Sequence, residues 1–349
     1  MEKQLKVLVT GASGYVAGWI VKKLLDEGHT VHAAVRNPLD KSQVGHLIAL
    51  AENAPGSIEL FKADLLEHGS YDSAMQGCSI VFHTASPFFN KVKDPQRELI
   101  DPALKGTANV LESVNRTPTV KRVVLTSSVA AIIGDAKDCL SYPGGVATEE
   151  QWNTSSSLKH QPYSYSKTIA EQKAWEIARQ QKRWDLVVIN PSLVIGPGIK
   201  LHSNSESFRL VKQLADGSSK MGVPDFQIGV VDVRDLAEAH YQAAMRKEAS
   251  DRHIISARES SLLQLAEALH NEFGDKWPLP KKLLPKTLVW LVAPLAGFKR
   301  KMIANNIGYP WKADNSKGIK MLDMRYRPLE ESMNDMFRQM VEQGMLKQK

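Results

Sequence analysis

The stretch of sequence that decides the fold is LKVLVTGASGYVA, residues 5–17. It opens with an uninterrupted apolar run at 5–9, which is typical of a strand that is buried on both faces. Small residues then recur at three-residue spacing: Gly11, Gly14 and Ala17. Apolar residues at helical spacing follow at 15–25, and Gly28 ends that pattern. These residues predict a strand, a tight turn and a helix, the opening of a β-α-β unit.

Short apolar strands alternate with helix-length segments up to residue 190. After the first strand, the predicted strands are 30–35, 57–61, 79–83, 121–126 and 186–189. Two long helices are also predicted, at 92–115 and 162–181. This alternation predicts the α/β class, with a doubly wound parallel sheet (Rossmann fold) covered by helices on both faces.

Beyond residue 190 the alternation is broken by prolines and glycines, so a second unit begins there. Apolar segments near 228–256 predict strands that return to the sheet. We therefore expect a dinucleotide-binding Rossmann domain of residues 1–190, together with those returning strands. The remaining residues, 191–227 and 257–349, are expected to form a smaller, interleaved C-terminal lobe that binds substrate.

Composition and charge indicate an ordinary soluble protein. The apolar content of 43% and the charged content of 24% match those of folded globular chains, which excludes a fibrous or disordered one. The net charge of +7 comes from Lys and Arg spread along the chain without a basic stripe, so we expect no nucleic-acid partner. The same modest positive charge suits an anionic ligand. Two lone cysteines, Cys78 and Cys139, favour a reducing compartment.

The longest apolar stretch, 283–298, is too short to span a bilayer and is interrupted by prolines and Lys286. It has two interpretations, a helix of the substrate lobe or a helix on a membrane surface, and the prolines and uneven spacing favour the first. We expect no signal peptide, a cytoplasmic location and no membrane partner. Monomer and homodimer both stay open.

The turn after the first strand has the features of a dinucleotide site. Glycine permits a tight turn and a close approach of the backbone to a pyrophosphate, while a helix N-terminus supplies N–H groups and a partial positive charge. A purely structural turn is the alternative, but the place of this turn between strand and helix favours the cofactor. The expected cofactor-binding residues here are Gly11, Ala12, Ser13, Gly14, Tyr15 and Val16.

The end of the second strand favours NADPH over NADH. An acidic residue at this position binds the ribose 2′-hydroxyl of NADH and repels a 2′-phosphate. This chain has Arg36 there, followed by Lys41, and both cations suit a 2′-phosphate. The alternative is that both are simply exposed surface residues, and the nearby Asp40 keeps that alternative open.

A tyrosine and a lysine predict the catalytic pair. Tyr163 and Lys167 open a helical segment at i, i+4 spacing, so they share one face. A tyrosine has a pKa of about 10 and is a poor acid near neutrality unless a neighbouring cation lowers that value. Ser128 follows the fifth strand, at the edge where doubly wound sheets bind ligands. Its hydroxyl is expected to stabilise charge that develops on a substrate oxygen, and a turn cap is the alternative role.

Five further motifs carry a resemblance to a known family. They lie at 63–65, 81–87, 106–111, 190–197 and 231–235. On these motifs the chain resembles the extended short-chain dehydrogenase/reductase superfamily, the NAD-dependent epimerase/dehydratase family, over nearly its full length. It is most similar to the dihydroflavonol-reductase-like branch, which also contains plant cinnamoyl-CoA reductases and yeast-type methylglyoxal and aldehyde reductases.

The resemblance implies roles for further residues. Asp64 and Leu65 are expected at the adenine, and Asn109 is expected to anchor a water in a proton relay behind Lys167. Residues expected along the cofactor ribose and phosphates are Thr84, Ala85 and Ser86. Residues expected at the nicotinamide amide are Pro191, Ser192, Leu193 and Val194. Ser205 is expected to touch the cofactor, as it does in some relatives.

The implied reaction is hydride transfer from NADPH to the carbonyl carbon of a small, mainly apolar aldehyde or ketone. Tyr163 protonates the forming alkoxide, while Lys167 holds the ribose hydroxyls. No metal is expected, because the histidines lack the spacing of metal ligands. The residues expected at the substrate are Ser86, Phe88, Ser128, Ile132 and Tyr163.

Three alternatives stay open. A nucleotide-sugar epimerase or dehydratase shares the fold and the catalytic residues, but dehydratases usually place Asp-Glu where this chain has Val129 and Ala130. A hydroxysteroid dehydrogenase is another relative. A non-enzymatic, cofactor-binding regulatory protein is disfavoured by the intact set of catalytic residues.

Overall fold

The computed structural model of the protein describes residues 4–86, 92–201 and 205–347. The strands in these ranges are β1 (Lys6–Thr10), β2 (Thr30–Val35), β3 (Ser57–Lys62), β4 (Ile80–His83), β5 (Arg122–Thr126), β6 (Asp185–Pro191), β7 (Leu193–Ile195), β8 (Val223–Pro224), β9 (Gln227–Asp232), β10 (Asp251–Ile255), β11 (Arg258–Ser261) and β12 (Leu283–Leu284). The helices are α1 (Tyr15–Asp26), α2 (Lys41–Glu52), α3 (Asp72–Met75), α4 (Asp101–Arg116), α5 (Pro162–Arg179), α6 (Glu206–Ala215), α7 (Val233–Met245), α8 (Leu262–Phe273), α9 (Lys286–Val292), α10 (Arg300–Asn306), α11 (Ser316–Leu322) and α12 (Leu329–Glu342).

The main sheet is parallel and has seven strands in the order 3-2-1-4-5-6-10. β1 lies between β2 and β4, where Val9 is opposite Ala33 on one side and Phe82 on the other. Nearly every residue of β1 and β4 is buried, because helices cover both faces of the sheet. The strand order reverses between β1 and β4, and a ligand crevice opens at the carboxyl ends of strands at such a point. The predicted doubly wound parallel sheet is confirmed.

Helices bury apolar side chains against both faces of this sheet. On one face α1, α2 and α7 contribute fully buried residues such as Leu24 and Leu236, and on the other α3, α4 and α5 contribute residues such as Leu111 and Ala174. Burying one Leu side chain completely contributes about 1.5–3 kcal/mol. The packing fixes each crossover helix relative to the strand that precedes it.

The helix predicted at 92–115 begins later and in two parts. A π-helical turn covers Gln96–Ile100, and α4 continues from Asp101. Pro102 has no N–H and cannot donate to the carbonyl four residues before it, which accounts for the change of hydrogen-bond register at this point. The predicted ends of α1, α5 and strands β1 to β6 agree with the structure to within two residues.

The chain after β6 builds a second, smaller sheet. β7 leaves the main sheet directly after Pro191 and pairs with β9, which pairs in turn with β11. The apolar segment that begins near residue 228 therefore belongs to this small sheet, whereas α7 and β10 do return to the main one. α6, α8 and α12 pack together around Phe208, Leu265 and Phe337. The assignment of 191–227 and 257–349 to a substrate lobe stays a prediction.

A buried histidine connects α7 to the end of β5. His240 Nδ1 lies 2.8 Å from the Leu236 carbonyl oxygen, and its Nε2 lies 2.7 Å from the Thr126 hydroxyl. Because a carbonyl can only accept, Nδ1 carries the hydrogen and the neutral Nε2 accepts from Thr126. Burial lowers the pKa of His240 to about 4, so the ring is neutral near pH 7.

We expect acid to destabilise the protein between about pH 6.5 and pH 4, in part through His240. An unfolded histidine binds its proton near pH 6.5, whereas folded His240 does so only near its pKa of about 4. The unfolded state then holds one more proton, so the free energy of unfolding falls by about 1.4 kcal/mol for each pH unit in this window. Urea unfolding at a series of pH values measures this slope.

His240→Asn should make the slope shallower by about that amount. His68→Asn is the matched control, because the side chain of His68 is 71% exposed and its replacement should leave the slope unchanged. A slope that is the same in His240→Asn and the wild type would contradict the assignment.

Candidate active site

Gly11 allows the loops after β1 and β4 to meet. Its φ is +62°, and a Cβ atom there would lie 3.1 Å from the Ala85 Cα. The Thr10 hydroxyl oxygen holds the same junction by accepting the N–H groups of Thr84 at 3.1 Å and Ala85 at 3.0 Å. A side chain at position 11 would strain the turn and fill the space above it.

The first turn of α1 opens into a cleft of about 730 Å³. Its N-cap residue, Gly14, has no side chain to cap the helix, so the N–H groups of the first turn are available to a ligand. Predicted cofactor residues that line the cleft are Gly11, Gly14, Tyr15, Val16, Arg36, Thr84 and Ser205. A glycine turn, an uncapped helix N-terminus and nearby cations fit the phosphates of a dinucleotide.

Of the two cations predicted to bind the 2′-phosphate, Arg36 lines this cleft and Lys41 does not. Lys41 is exposed at the start of α2, and Lys200 of the second lobe lines the cleft instead, donating to a backbone carbonyl of α2 at 3.2 Å. Asp40 caps α2 by accepting the Ser42 hydroxyl and, at 3.0 Å, the Ser42 N–H. These hydrogen bonds lower the pKa of Asp40, so its carboxylate is occupied in capping the helix.

The predicted catalytic pair lies at the start of α5. Pro162 is its first residue, and proline presets the helical φ there. Tyr163 is 53% exposed, and the Lys167 Nζ lies 5.8 Å from the centre of the Tyr163 ring. Lys167 also donates to the Ser86 hydroxyl at 3.1 Å. The structure therefore brings Tyr163, Lys167 and Ser86 together, and Ser86 follows the residue that contacts the Gly11 turn.

The two serines after β5 have different partners. Ser128 caps the 3₁₀ turn 129–131, and its Oγ accepts the Ala130 N–H at 3.1 Å. Since that oxygen acts as the acceptor, the Ser128 hydroxyl keeps its hydrogen to donate elsewhere. Ser127 is buried and donates to the Glu171 carboxylate at 2.5 Å. Capping and a catalytic role are thus compatible for Ser128, while Ser127 is occupied in the interior.

Glu171, in the middle of α5, is the centre of a buried hydrogen-bond network that the sequence analysis missed. Its carboxylate accepts from Ser127 at 2.5 Å, Asn190 at 2.8 Å and Arg252 at 2.5 Å. Arg252 is also buried, and its guanidinium lies 3.9 Å from the centre of the Trp152 ring. These donors follow β5 or belong to β6 and β10, so the network fixes α5 to three strands of the main sheet.

A small cavity of about 30 Å³ lies behind Lys167, with His83 and Thr107 in its wall. This volume suits about one water molecule. Burial, together with the charge of Lys167, lowers the pKa of His83 to about 3, so His83 is neutral there. Asn109 does not line the cavity; its amide donates to the Leu65 carbonyl oxygen at 3.0 Å. Asn109 therefore contacts the loop after β3, and its part in a proton relay stays a prediction.

The other predicted cofactor contacts lie after β3 and β6. Leu65 packs against α4 where a Cβ atom on Gly106 would overlap it, and the Asp64 carboxylate accepts the Leu66 N–H at 2.8 Å. Residues 191–194 span the exit of the chain from the main sheet into the small one. The buried Ser192 hydroxyl has no hydrogen-bond partner within the described ranges.

The predicted substrate residues are only partly brought together. Ile132 is fully buried in a core cluster with Cys139 and Trp311, so it cannot contact a substrate, because the turn after Ser128 directs it inward. Phe88 lies outside the described residues. Within the described ranges, no three His, Cys, Asp or Glu side chains are grouped so as to hold a metal ion.

Asp135 fixes the entrance to α5. This buried carboxylate lies 2.7 Å from His160 Nε2 and accepts from the Gln161 amide at 2.5 Å and, across the lobes, from the Asn306 amide at 2.7 Å. Burial alone would raise the pKa of Asp135, but hydrogen bonds, that of Asn305 foremost, hold it below its usual range. Gln161 has a φ of +53°, which a residue with a side chain adopts only at a cost, and this anchor sustains it.

We expect Glu171→Gln to lower the free energy of unfolding by about 3 kcal/mol or more, because it leaves the buried Arg252 without a counter-charge. Urea unfolding measures the loss. The matched control is Glu272→Gln, which breaks an exposed ion pair with Arg338 and should cost less than about 1 kcal/mol. Losses of equal size in the two variants would contradict the role given to Glu171.

Comparisons with known proteins agree with this architecture. The family model described as "NAD dependent epimerase/dehydratase family" matches residues 7–256. Tetraketide alpha-pyrone reductase 1 of Arabidopsis thaliana is 36% identical over 98% of this chain and 97% of its own length. Cinnamoyl-CoA reductase CAD2 of Medicago truncatula is 43% identical over 79% of this chain and 83% of its own length.

Solved structures of reductases also match nearly the whole of this chain. Gre2 of Candida albicans in complex with NADPH has a TM-score of 0.79 at 28% identity, covering 97% of this chain and 99% of that one. Yeast methylglyoxal/isovaleraldehyde reductase Gre2 complexed with NADPH matches at 28% identity and covers 98% of this chain and all of that one, with a TM-score of 0.79. The predicted resemblance is confirmed, and the chain belongs to the NAD dependent epimerase/dehydratase family, among relatives of the dihydroflavonol reductases and cinnamoyl-CoA reductases.

Proposed function

We propose that the protein is an NADPH-dependent carbonyl reductase that reduces a small, mainly apolar ketone or aldehyde to an alcohol, reversibly. The observation that carries the proposal is that Tyr163 and Lys167 share one face of α5. Lys167 also donates a hydrogen bond to the Ser86 hydroxyl, beside the Gly11 turn. The reductase names of the relatives support a carbonyl substrate. We assign substrate contacts to the second lobe as well, residues 191–227 and 257–349.

The cleft at the start of α1 fits NADPH. The Gly11 turn and the uncapped first turn suit the pyrophosphate, and the two cations of the cleft, Arg36 and Lys200, would hold the 2′-phosphate. Both Gre2 structures named above are complexes with NADPH, which supports the same cofactor here. When bound, the cofactor supplies the hydride for the carbonyl carbon.

Ser128 and Tyr163 act on the substrate oxygen. The hydrogen of the Ser128 hydroxyl, which the cap does not use, donates to the carbonyl oxygen and stabilises the negative charge that develops there. Tyr163 gives its hydroxyl proton to the same oxygen, and the Lys167 ammonium stabilises the tyrosinate that remains. The cavity behind Lys167 is our candidate for the water that restores this proton.

The cytoplasm is the proposed location. Cys78 and Cys139 are both free and buried, and free thiols suit a reducing compartment.

Tyr163→Phe should lower the rate of NADPH-dependent reduction by about 100- to 10,000-fold, because it removes the acid. The assay follows loss of NADPH absorbance with a panel of aromatic aldehydes, diketones, ketoesters and flavanonols. NADPH affinity, measured by fluorescence, should change by less than about threefold. Tyr241→Phe is the control, because this tyrosine lies on α7, with the Lys23 ammonium 4.7 Å from its ring centre, and belongs to neither the cleft nor the substrate lobe. Full activity of Tyr163→Phe with bound NADPH would overturn the mechanism.

Arg36→Ala and Lys200→Ala should each raise the KM for NADPH by about tenfold, since a charge-assisted hydrogen bond to phosphate is lost. The KM for NADH should change little, because NADH has no 2′-phosphate. Lys41→Ala is the matched control, an exposed cation close by that does not line the cleft. Preference of the wild type for NADH, or an equal effect in all three variants, would refute the assignment of the two cations.

A further inference from the structure

Residues 283–298 form a surface, which we call the apolar knob, that exposes large apolar side chains. Leu295 is 91% exposed, Leu291 60% and Phe298 52%. Other members that are at least 38% exposed are Leu283, Leu288, Trp290 and Val292. Large contiguous apolar patches on a soluble protein mark contact with a partner or with lipid.

The apolar knob has a defined shape. α9 and the turn after it rest on α10 through a small core of Val289, Ala293, Ile303 and Ile307. The Arg300 guanidinium carbon lies 4.3 Å from the centre of the Trp290 ring, which holds the two sides of the turn together. The inward side of the knob is therefore packed, and the exposed side chains project from a folded support.

The apolar knob lies inside the most basic part of the chain. Between Lys276 and Lys312 there are eight Lys and Arg residues and no Asp or Glu. The rest of the sequence holds 37 basic and 38 acidic residues, so this one segment accounts for the whole positive charge of the protein. Lys282 and Lys301 are exposed next to the knob in sequence. Lys286 and Lys299 are also exposed, and their ammonium groups donate to the carbonyl oxygens of Ala304 at 3.2 Å and Lys159 at 2.6 Å.

We propose that the apolar knob binds the surface of a membrane that contains anionic lipid. The lysines would contact the anionic headgroups, while Leu291, Leu295 and Phe298 enter the boundary of the acyl chains. α9 has seven residues and is about 10 Å long. None of the helices within the described ranges is long and apolar enough to cross a bilayer.

This inference replaces the expectation that the protein has no membrane partner. Two features of 283–298 favour that expectation: its prolines, and an uneven spacing of apolar residues that does not form a helical stripe. In the structure the exposed residues come from α9, from a 3₁₀ turn at Ala293–Ala296 and from the start of the next loop. The Phe298 N–H donates to the Ala293 carbonyl oxygen at 2.9 Å, so the chain turns back here and forms a tip. A tip needs no helical periodicity, because its exposed residues come from consecutive turns of the chain.

Charge and apolar exposure together disfavour two other partners for the apolar knob, a second copy of this chain and a nucleic acid. A symmetric contact between two copies would place the two basic segments against each other, and like charges repel across such an interface. A nucleic acid would satisfy the lysines but would leave Leu295 and Phe298 in contact with water or phosphate. An anionic lipid surface offers headgroups to the lysines and acyl chains to the exposed apolar side chains.

Flotation of the full chain with lipid vesicles tests the proposal. Vesicles of phosphatidylcholine with about 30% phosphatidylserine should carry the protein at about 50 mM salt, and the partition constant should fall by about tenfold or more at about 500 mM salt, because salt screens the lysines. Leu291→Glu/Leu295→Glu should lower the partition constant by about tenfold or more. Leu39→Glu is the matched control, since Leu39 is 88% exposed but lies outside the basic segment.

A charge variant tests whether the lysines contact anionic headgroups. Lys282→Glu/Lys301→Glu should lower the partition constant on vesicles with phosphatidylserine by about tenfold and have little effect on pure phosphatidylcholine. All substituted side chains are exposed, and circular dichroism checks that each variant is folded. Failure of the wild type to float, or flotation unaffected by the apolar substitutions, would overturn the proposal. So would a dimer that Leu291→Glu/Leu295→Glu separates, or preferential binding of RNA over vesicles.

Discussion

The buried carboxylate of Glu171 constrains the position of the whole catalytic helix. A carboxylate removed from water needs donors. The donors from outside α5 are Ser127, Asn190 and Arg252, on or next to three different strands. Desolvation offsets most of the attraction within such a pair, so its net contribution to stability is small. Its effect is on geometry, because a rotation or shift of α5 would leave two buried charges unpaired. Tyr163 lies two turns earlier on the same helix, so its orientation is fixed by the same contacts.

The start of α5 is held separately, by Asp135 and by the C-terminal part of the chain. Asn306 of α10 donates to Asp135, and Lys299 donates to the Lys159 carbonyl oxygen at 2.6 Å. These contacts join α10 and its N-cap residue Lys299 to the segment that leads into Tyr163. The middle of α5 therefore depends on the main sheet, whereas its first turn depends on Asp135 and on residues that follow the turn by more than 130 positions.

The parts of the site that could be predicted are those whose signal is local. A strand buried on both faces produces an uninterrupted apolar run, a phosphate turn produces spaced small residues, and the i, i+4 spacing of Tyr163 and Lys167 is visible in five letters. Lys200 and Arg252 could not be found in this way, because their partners lie far away in sequence. Glu171 follows Lys167 by four residues, yet a glutamate among polar helix residues carries no sign that it is buried. Ile132 was misassigned because an apolar residue after Ser128 is equally typical of a pocket and of a core.

The distribution of charge shows why an average over the chain misleads. A net charge of +7 suggested a general attraction for anions, but outside the segment 276–312 the protein is nearly neutral. Attraction of an anionic cofactor must then come from groups at the cleft itself, namely the α1 N-terminus, Arg36 and Lys200. Screening limits exposed charges to about 10 Å at ordinary ionic strength, so cations more distant than this add little at the cleft. We therefore assign separate cations to the two anionic partners. Arg36 and Lys200 would bind the cofactor, and the lysines of segment 276–312 would bind anionic lipid.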